Sequence, residues 1–362
     1  MSKSPWLFSK KTDLIFLFFP IWAVWIWAFN ADLKNQSLPN WAWVIFILGI
    51  DVSHVWSSIF RTYLNKNDRL HHKTSIRLVP AILLPLLFAL AAYSSHLFWA
   101  ILAYVAVYHF MKQQHGFMAL YVFKNQEKQS TLKTKFDKWV IYSGMIYPII
   151  YWHFDQGRNF NWFISGDFLP LHQLINDMQI FSYLSVPYFL LLLVWIIWEA
   201  SLAKKGPLAI GKILWVSTTY LNWYLGIVFF NSDVIFSVTN VVAHGVPYLV
   251  LVIKYKIGEQ ALTQGSKTSY IQAFINIFII LTLAFFFAFF EEYFWDMLVN
   301  LEKHEIFETI APYWINIEHY PWLIAFCMAV LTLPQATHYV LDGIIWKFNS
   351  KNPQLKKIIE NG

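Results

Sequence analysis

About ten times between Asp13 and Trp346 the chain passes through an apolar stretch close in length to the thickness of a bilayer. A helix needs about 20 mostly apolar residues to cross hydrocarbon, and the stretches fall at 13–30, 39–64, 76–94, 95–123, 136–155, 178–203, 207–230, 233–255, 270–290 and 321–346. With no water to satisfy backbone N–H and C=O groups, such runs must be helical. The expected fold is all-α: a polytopic integral membrane bundle of about ten transmembrane helices, forming a single domain over residues 1–362.

Composition supports the apolar solvent. Charged residues make up 13% of the chain, where a soluble domain carries about 25%. The net charge of +6 does not read as a nucleic-acid surface, because the basic residues are scattered among short loops. Cys327, the single cysteine, lies in an apolar run and excludes an intramolecular disulfide or a cysteine-based cluster. The first run lacks a small-residue cleavage site, so it reads as a retained helix rather than a signal peptide.

Lysine and arginine test the count, since short cytoplasmic loops are enriched in them. Lys3, Lys10 and Lys11 precede the first run; Lys66, Arg69, Lys73 and Arg77 follow the second; Lys124, Lys128, Lys133, Lys135 and Lys138 follow the fourth. Lys204, Lys205 and Lys212, then Lys254, Lys256 and Lys267, then Lys347, Lys351, Lys356 and Lys357 continue the alternation. The other side receives Lys34, Arg158 and Lys303. Both termini are therefore expected in the cytoplasm, and the compact multi-pass layout points to a bacterial inner membrane. Segment 291–320, with Glu291, Glu292, Asp296, Glu302, Glu305 and Glu308, reads as an external loop or interfacial helix.

Ionisable groups inside a bilayer are expensive and usually mark function. Here they recur on four helices. Asp51 and His54 are spaced i,i+3; His109 and Gln113, Asn240 and His244, and His338 and Asp342 are each spaced i,i+4, so each pair shares a helix face. All four helices are even-numbered and run in the same direction. His54 lies 15 residues after Pro39, His109 14 after Ser95, His244 11 after Asp233 and His338 17 after Pro321. At about 1.5 Å per residue the four imidazoles fall within roughly 10 Å in depth.

Imidazole nitrogen suits Fe, Zn and Cu, and the ring nitrogen that does not bind metal commonly donates to a carboxylate or amide. His54, His109, His244 and His338 are the candidate metal ligands. Asp51, Gln113, His115, Asn240 and Asp342 are alternative ligands or hydrogen-bond partners of the ligating rings. Non-haem iron is the expected cofactor, ahead of zinc. Haem has only the 13-residue spacing of His96 and His109, without a second helix supplying the matching pair. The bland reading of each histidine is a hydrogen-bonded packing residue; agreement in depth is what sets the four apart.

The remaining polar residues read as peripheral. His71 and His72 are expected to be solvated in a basic loop, and His153, His172, His304 and His319 to sit on the external side. Arg61, on the face of His54, is expected to pair with Asp342 or a lipid headgroup, or to snorkel to the cytoplasmic boundary. Tyr108, Tyr248 and Tyr339 flank the candidate ligands and read as packing residues or as the lining of a substrate cavity.

Intramembrane histidines on several helices, with Asp51-Val-Ser-His54 early and His338-x-x-x-Asp342 late, resemble the bacterial Brp/Blh-type carotene dioxygenases, multi-pass proteins that hold one iron with histidines. The resemblance covers the four even-numbered helices, and this chain departs from the Pro-His-Gly signature of the family's early helix. It implies a dioxygenase acting on a carotenoid. The His-x-x-His-His boxes of membrane desaturases and hydroxylases are absent, the adjacent pair being His71-His72. The expected function is thus a membrane oxidoreductase acting on a lipid-soluble substrate (carotenoid, isoprenoid or acyl chain), with membrane lipids as its surroundings. A proton- or metal-ion-coupled transporter using the same groups is the alternative, although transporters commonly show internal repeats and broken helices. A structural protein whose polar residues only lock packing is the third.

Overall fold

In a computed structural model the described residues are 4–30, 38–127, 130–155, 157–171, 178–202, 208–300, 303–308, 317 and 319–361. Lys3, Lys34, Lys128, His172, Lys204, Lys205 and Glu302 lie outside them, as do the residues at the ends of some expected runs. Among the described residues there is no strand, and the all-α class holds.

The long helices are α1 (Lys10–Asn30) and α2 (Asn40–Arg61), the short α3 (Lys66–His71) leading into α4 (Lys73–Tyr93), α5 (Ser95–Lys124) and α6 (Thr131–Phe154), then α7 (Phe181–Leu202). They continue with α8 (Ile210–Trp223, prolonged by wider turns over Tyr224–Phe229), α9 (Asp233–Gln264) and α10 (Tyr270–Asn300), the short α11 (His304–Phe307), α12 (Pro321–Ile345) and α13 (Pro353–Asn361). Every expected run is thus helical. Among the described residues seven helices, α1, α2, α4, α7, α9, α10 and α12, are long and apolar enough to cross a membrane. Helices α5, α6 and α8 are more polar: α5 carries Lys112-Gln113-Gln114-His115, α6 opens on three lysines and Asp137, and α8 holds Lys212, Thr218, Thr219 and Asn222.

One boundary moves. The acidic residues after 290 read in sequence as an external loop or interfacial helix, and α10 runs on through them to Asn300. Two of these acids are satisfied by the protein: the Trp56 indole donates to Glu291 at 2.7 Å, and the Lys303 backbone N–H donates to Asp296 at 2.6 Å.

The chain divides into two compact units. The first comprises residues 1–37 and 107–244, with the terminal Gly362. In it α6, α7 and α8 are joined through tyrosine hydroxyls: Tyr220 donates to the Val140 carbonyl at 2.9 Å, and Tyr188 reaches the Gly144 and Tyr220 carbonyls at 2.9 and 2.8 Å. Gly144 allows this approach, because a Cβ there would lie 2.5 Å from the Tyr220 ring. Nearby, Lys133 and Lys212 are buried against Asp137, Glu199 and Glu127, and the Trp195 indole donates to Asp137 at 2.8 Å. Asp13 accepts the Leu7 and Phe8 N–H groups and the Tyr121 hydroxyl, fixing the start of α1 to α5.

The second unit comprises 38–106 and 245–361. Here α12 packs along α4, and α10 lies against α2 through a stripe of Ile280, Ala284 and Ala288, all fully enclosed. The outward faces of α4 and α10 are apolar, with Leu78, Ile82 and Leu86, and Phe274 and Phe278, exposed, as expected where hydrocarbon is the solvent. The apolar window of α9 is instead 83% buried.

Arg61 behaves differently from the sequence reading. It is fully enclosed, neither snorkelling nor bonded to Asp342. It pairs with Asp68, donates to the Ile345 carbonyl, and lies 3.7 Å from the Tyr255 ring centroid. The chain turns just after Arg61, so Asp68 on α3 reaches back to it. His72 is likewise buried rather than solvated, its ring bonded to Asn352 at 2.6 Å where the segment before α13 folds over it.

Candidate metal centre

His54, His109, His244 and His338 are all buried, two in each compact unit.

In the second unit, His54 and His338 face each other edge to face, with ring centroids 5.1 Å apart. Each carries its own carboxylate: Asp51 Oδ1 is 3.6 Å from His54 Nδ1, and Asp342 Oδ1 is 3.5 Å from His338 Nδ1. At these distances the carboxylates stand beside Nδ1 at the outer edge of hydrogen-bond reach, and a carboxylate that closes onto Nδ1 would fix the tautomer and leave Nε2 for metal. The backbone prepares this on α2, which is wound in wide π-type turns from Trp43 to Val52 and returns to regular α geometry at Ser53. Such turns are rare and concentrate at functional sites. Gly245 lets α9 pass close to α2 here: a Cβ would lie 2.6 Å from the Ile50 side chain and 3.5 Å from His54 Nδ1.

In the first unit, His109 and His244 form a second edge-to-face pair, also 5.1 Å between centroids. Here the Phe110 ring lies flat on the His244 ring, 3.6 Å between centroids and 9° from parallel. Gln113 donates its amide to the His244 backbone carbonyl at 2.7 Å, and Asn240 donates to the Phe236 carbonyl at 2.9 Å. Both amides, one turn from a histidine in sequence, are thereby spent on backbone. His115 stacks on Tyr142 with centroids 5.5 Å apart, outside the four-histidine group.

The other histidines are dispersed. His153 bonds the Ile149 carbonyl one turn back, His304 lies 3.6 Å from Asp296, and His96 and His319 are exposed. Two neighbours of the centre escape the sequence reading. Glu291 falls in the segment read as an external loop or interfacial helix, and its partner Trp56 lies 235 residues away in the chain. The Phe110 stack had a faint signal, an aromatic directly after His109, without any means of placing it on His244.

No family model matches the chain, and no curated protein or solved structure is significantly similar to it.

Proposed function

We propose that the chain is an integral membrane oxidoreductase in which His54, His109, His244 and His338 hold one non-haem iron, and that it oxygenates a lipid-soluble substrate such as a carotenoid, another isoprenoid or an acyl chain. The observation that carries this is a pair of buried imidazoles in each unit, His54 with His338 and His109 with His244, each pair with ring centroids 5.1 Å apart. The donor chemistry fits: four neutral imidazoles suit Fe, Zn, Cu or Ni, and the lack of thiolate in the set argues against an iron–sulfur cluster.

When bound, iron supplies one-electron redox chemistry and activation of dioxygen. The residues of the chain do the rest. Asp51 and Asp342 orient His54 and His338 and together offset a divalent charge in a medium that tolerates charge poorly. Phe110 fixes the plane of His244 and keeps water from one of its faces. Apolar helix faces bring a lipid-soluble substrate to the protein without an aqueous route. The same reading places ten helices across a bacterial inner membrane with both termini in the cytoplasm, on the basis of the alternation of basic loops. It also extends the likeness to Brp/Blh-type dioxygenases from sequence pattern to chemistry.

Elemental analysis of detergent-purified protein tests the proposal. About one iron per chain is expected, falling to background in His54→Ala. Metal-free protein that retained its activity would overturn it.

A further inference from the structure

Asp342 does not reach His338 unaided. The Tyr248 hydroxyl donates to Asp342 Oδ1 at 2.7 Å, the same oxygen that lies 3.5 Å from His338 Nδ1. Tyr248 is 1% exposed, packed with Phe60, Val252 and Ile280. Its ring meets His338 edge-on with centroids 5.0 Å apart, and the Trp346 indole N–H points to its oxygen at 3.5 Å. Trp346 is held in turn: its ring packs under the guanidinium of Arg61, which donates to the neighbouring Ile345 carbonyl. All of these residues lie in the second unit.

Asp51 contrasts with this. Its side chain is 32% exposed, against 10% for Asp342. A carboxylate turning about its terminal bond samples a broad, two-fold well. A hydroxyl bonded to one oxygen narrows that well and keeps the oxygen aimed at the imidazole.

We propose that Tyr248 is a positioning residue for the metal centre: by donating to Asp342 Oδ1 it holds that carboxylate on His338 Nδ1, making His338 the rigid arm of the four-histidine set. This rests on the reading that the four histidines hold a metal. Outer hydrogen-bond partners of ligands typically contribute 10–100-fold in metal affinity. The effect of a group one bond further out belongs at the lower end, about tenfold.

The test uses full-length protein in detergent, stripped and reloaded with Co2+ alone. Metal release to a chelator and the visible d–d spectrum are measured for wild type, Tyr248→Phe, Asp342→Asn, Asp51→Asn and the two double variants with Tyr248→Phe. Tyr248→Phe is expected to speed Co2+ release about tenfold and shift the spectrum. It should add nothing in the Asp342→Asn background and its full effect in the Asp51→Asn background. A purely structural tyrosine would give equal effects in both backgrounds, and that result overturns the proposal, as does unchanged release from Tyr248→Phe. Should Tyr248→Phe not yield folded protein, Trp346→Phe, which removes the indole N–H from the tyrosine oxygen, is read in the same two backgrounds with the same criteria. Wild type that binds no Co2+ would overturn this inference together with the four-histidine reading, whereas wild-type binding with an additive Tyr248→Phe would overturn this inference alone.

Discussion

Phe110 lies flat over His244 while Asp51 and Asp342 stand beside His54 and His338, so the four candidate ligands are held by different forces. Deleting an imidazole and deleting its partner should therefore differ in kind. His244→Ala is expected to abolish metal retention while leaving the protein inserted and monodisperse, read by metal content alongside size-exclusion chromatography. Asp342→Asn keeps the shape but weakens the charge on Nδ1, and should lower metal affinity about 10–100-fold, measured by competition with a chelator. Sequence spacing located the carboxylates because i,i+3 and i,i+4 neighbours share a helix face. The same rule failed for Gln113 and Asn240. They share a face with their histidines, but each amide lies nearer a backbone carbonyl, and a short hydrogen bond to that carbonyl wins.

Between elements, small residues decide how close the helices come. Gly245 sits where α9 passes Ile50 and His54 on α2. Gly245→Val should push α2 away and reduce bound metal without touching any ligand, a loss visible by elemental analysis. Gly144 plays the equivalent part against Tyr220; Gly144→Ala should destabilise by about 1–3 kcal/mol through overpacking and leave metal content unchanged. Arg61 joins α2, α3 and the end of α12, and Arg61→Met strands the buried Asp68. Removing one partner of such a pair costs about 3–5 kcal/mol, to be read as a fall in thermal unfolding temperature in detergent. The sequence showed Arg61 on the face of His54 but gave no hint of Asp68 as its partner, because the turn that brings α3 back is set by packing.

At the scale of the whole molecule, the alternation of basic loops predicts both ends in the cytoplasm. A fluorescent protein fused after Gly362 should mature and fluoresce in a bacterial host, and alkaline phosphatase at the same place should stay inactive; the reverse pattern would dismiss the orientation. Seven helices satisfy length and apolarity unaided. The polar faces of α5, α6 and α8 are covered within the first unit: Tyr220 of α8 bonds α6, and the Gln114 carbonyl of α5 accepts the Trp215 indole at 3.0 Å.

Run length and the absence of water by themselves determined that the chain is helical, and periodicity placed each buried histidine at a depth along its helix. Depth follows from counting residues, since rise per residue is fixed by backbone geometry. Azimuth does not: which face turns toward which neighbour depends on side-chain volumes brought together from distant parts of the chain. Only the tertiary structure could decide that His54 meets His338 and that His109 meets His244. It also decided that Phe110 rather than an amide attends His244, that Tyr248 completes the Asp342 arm, and that His72 bonds Asn352, 280 residues further along the chain.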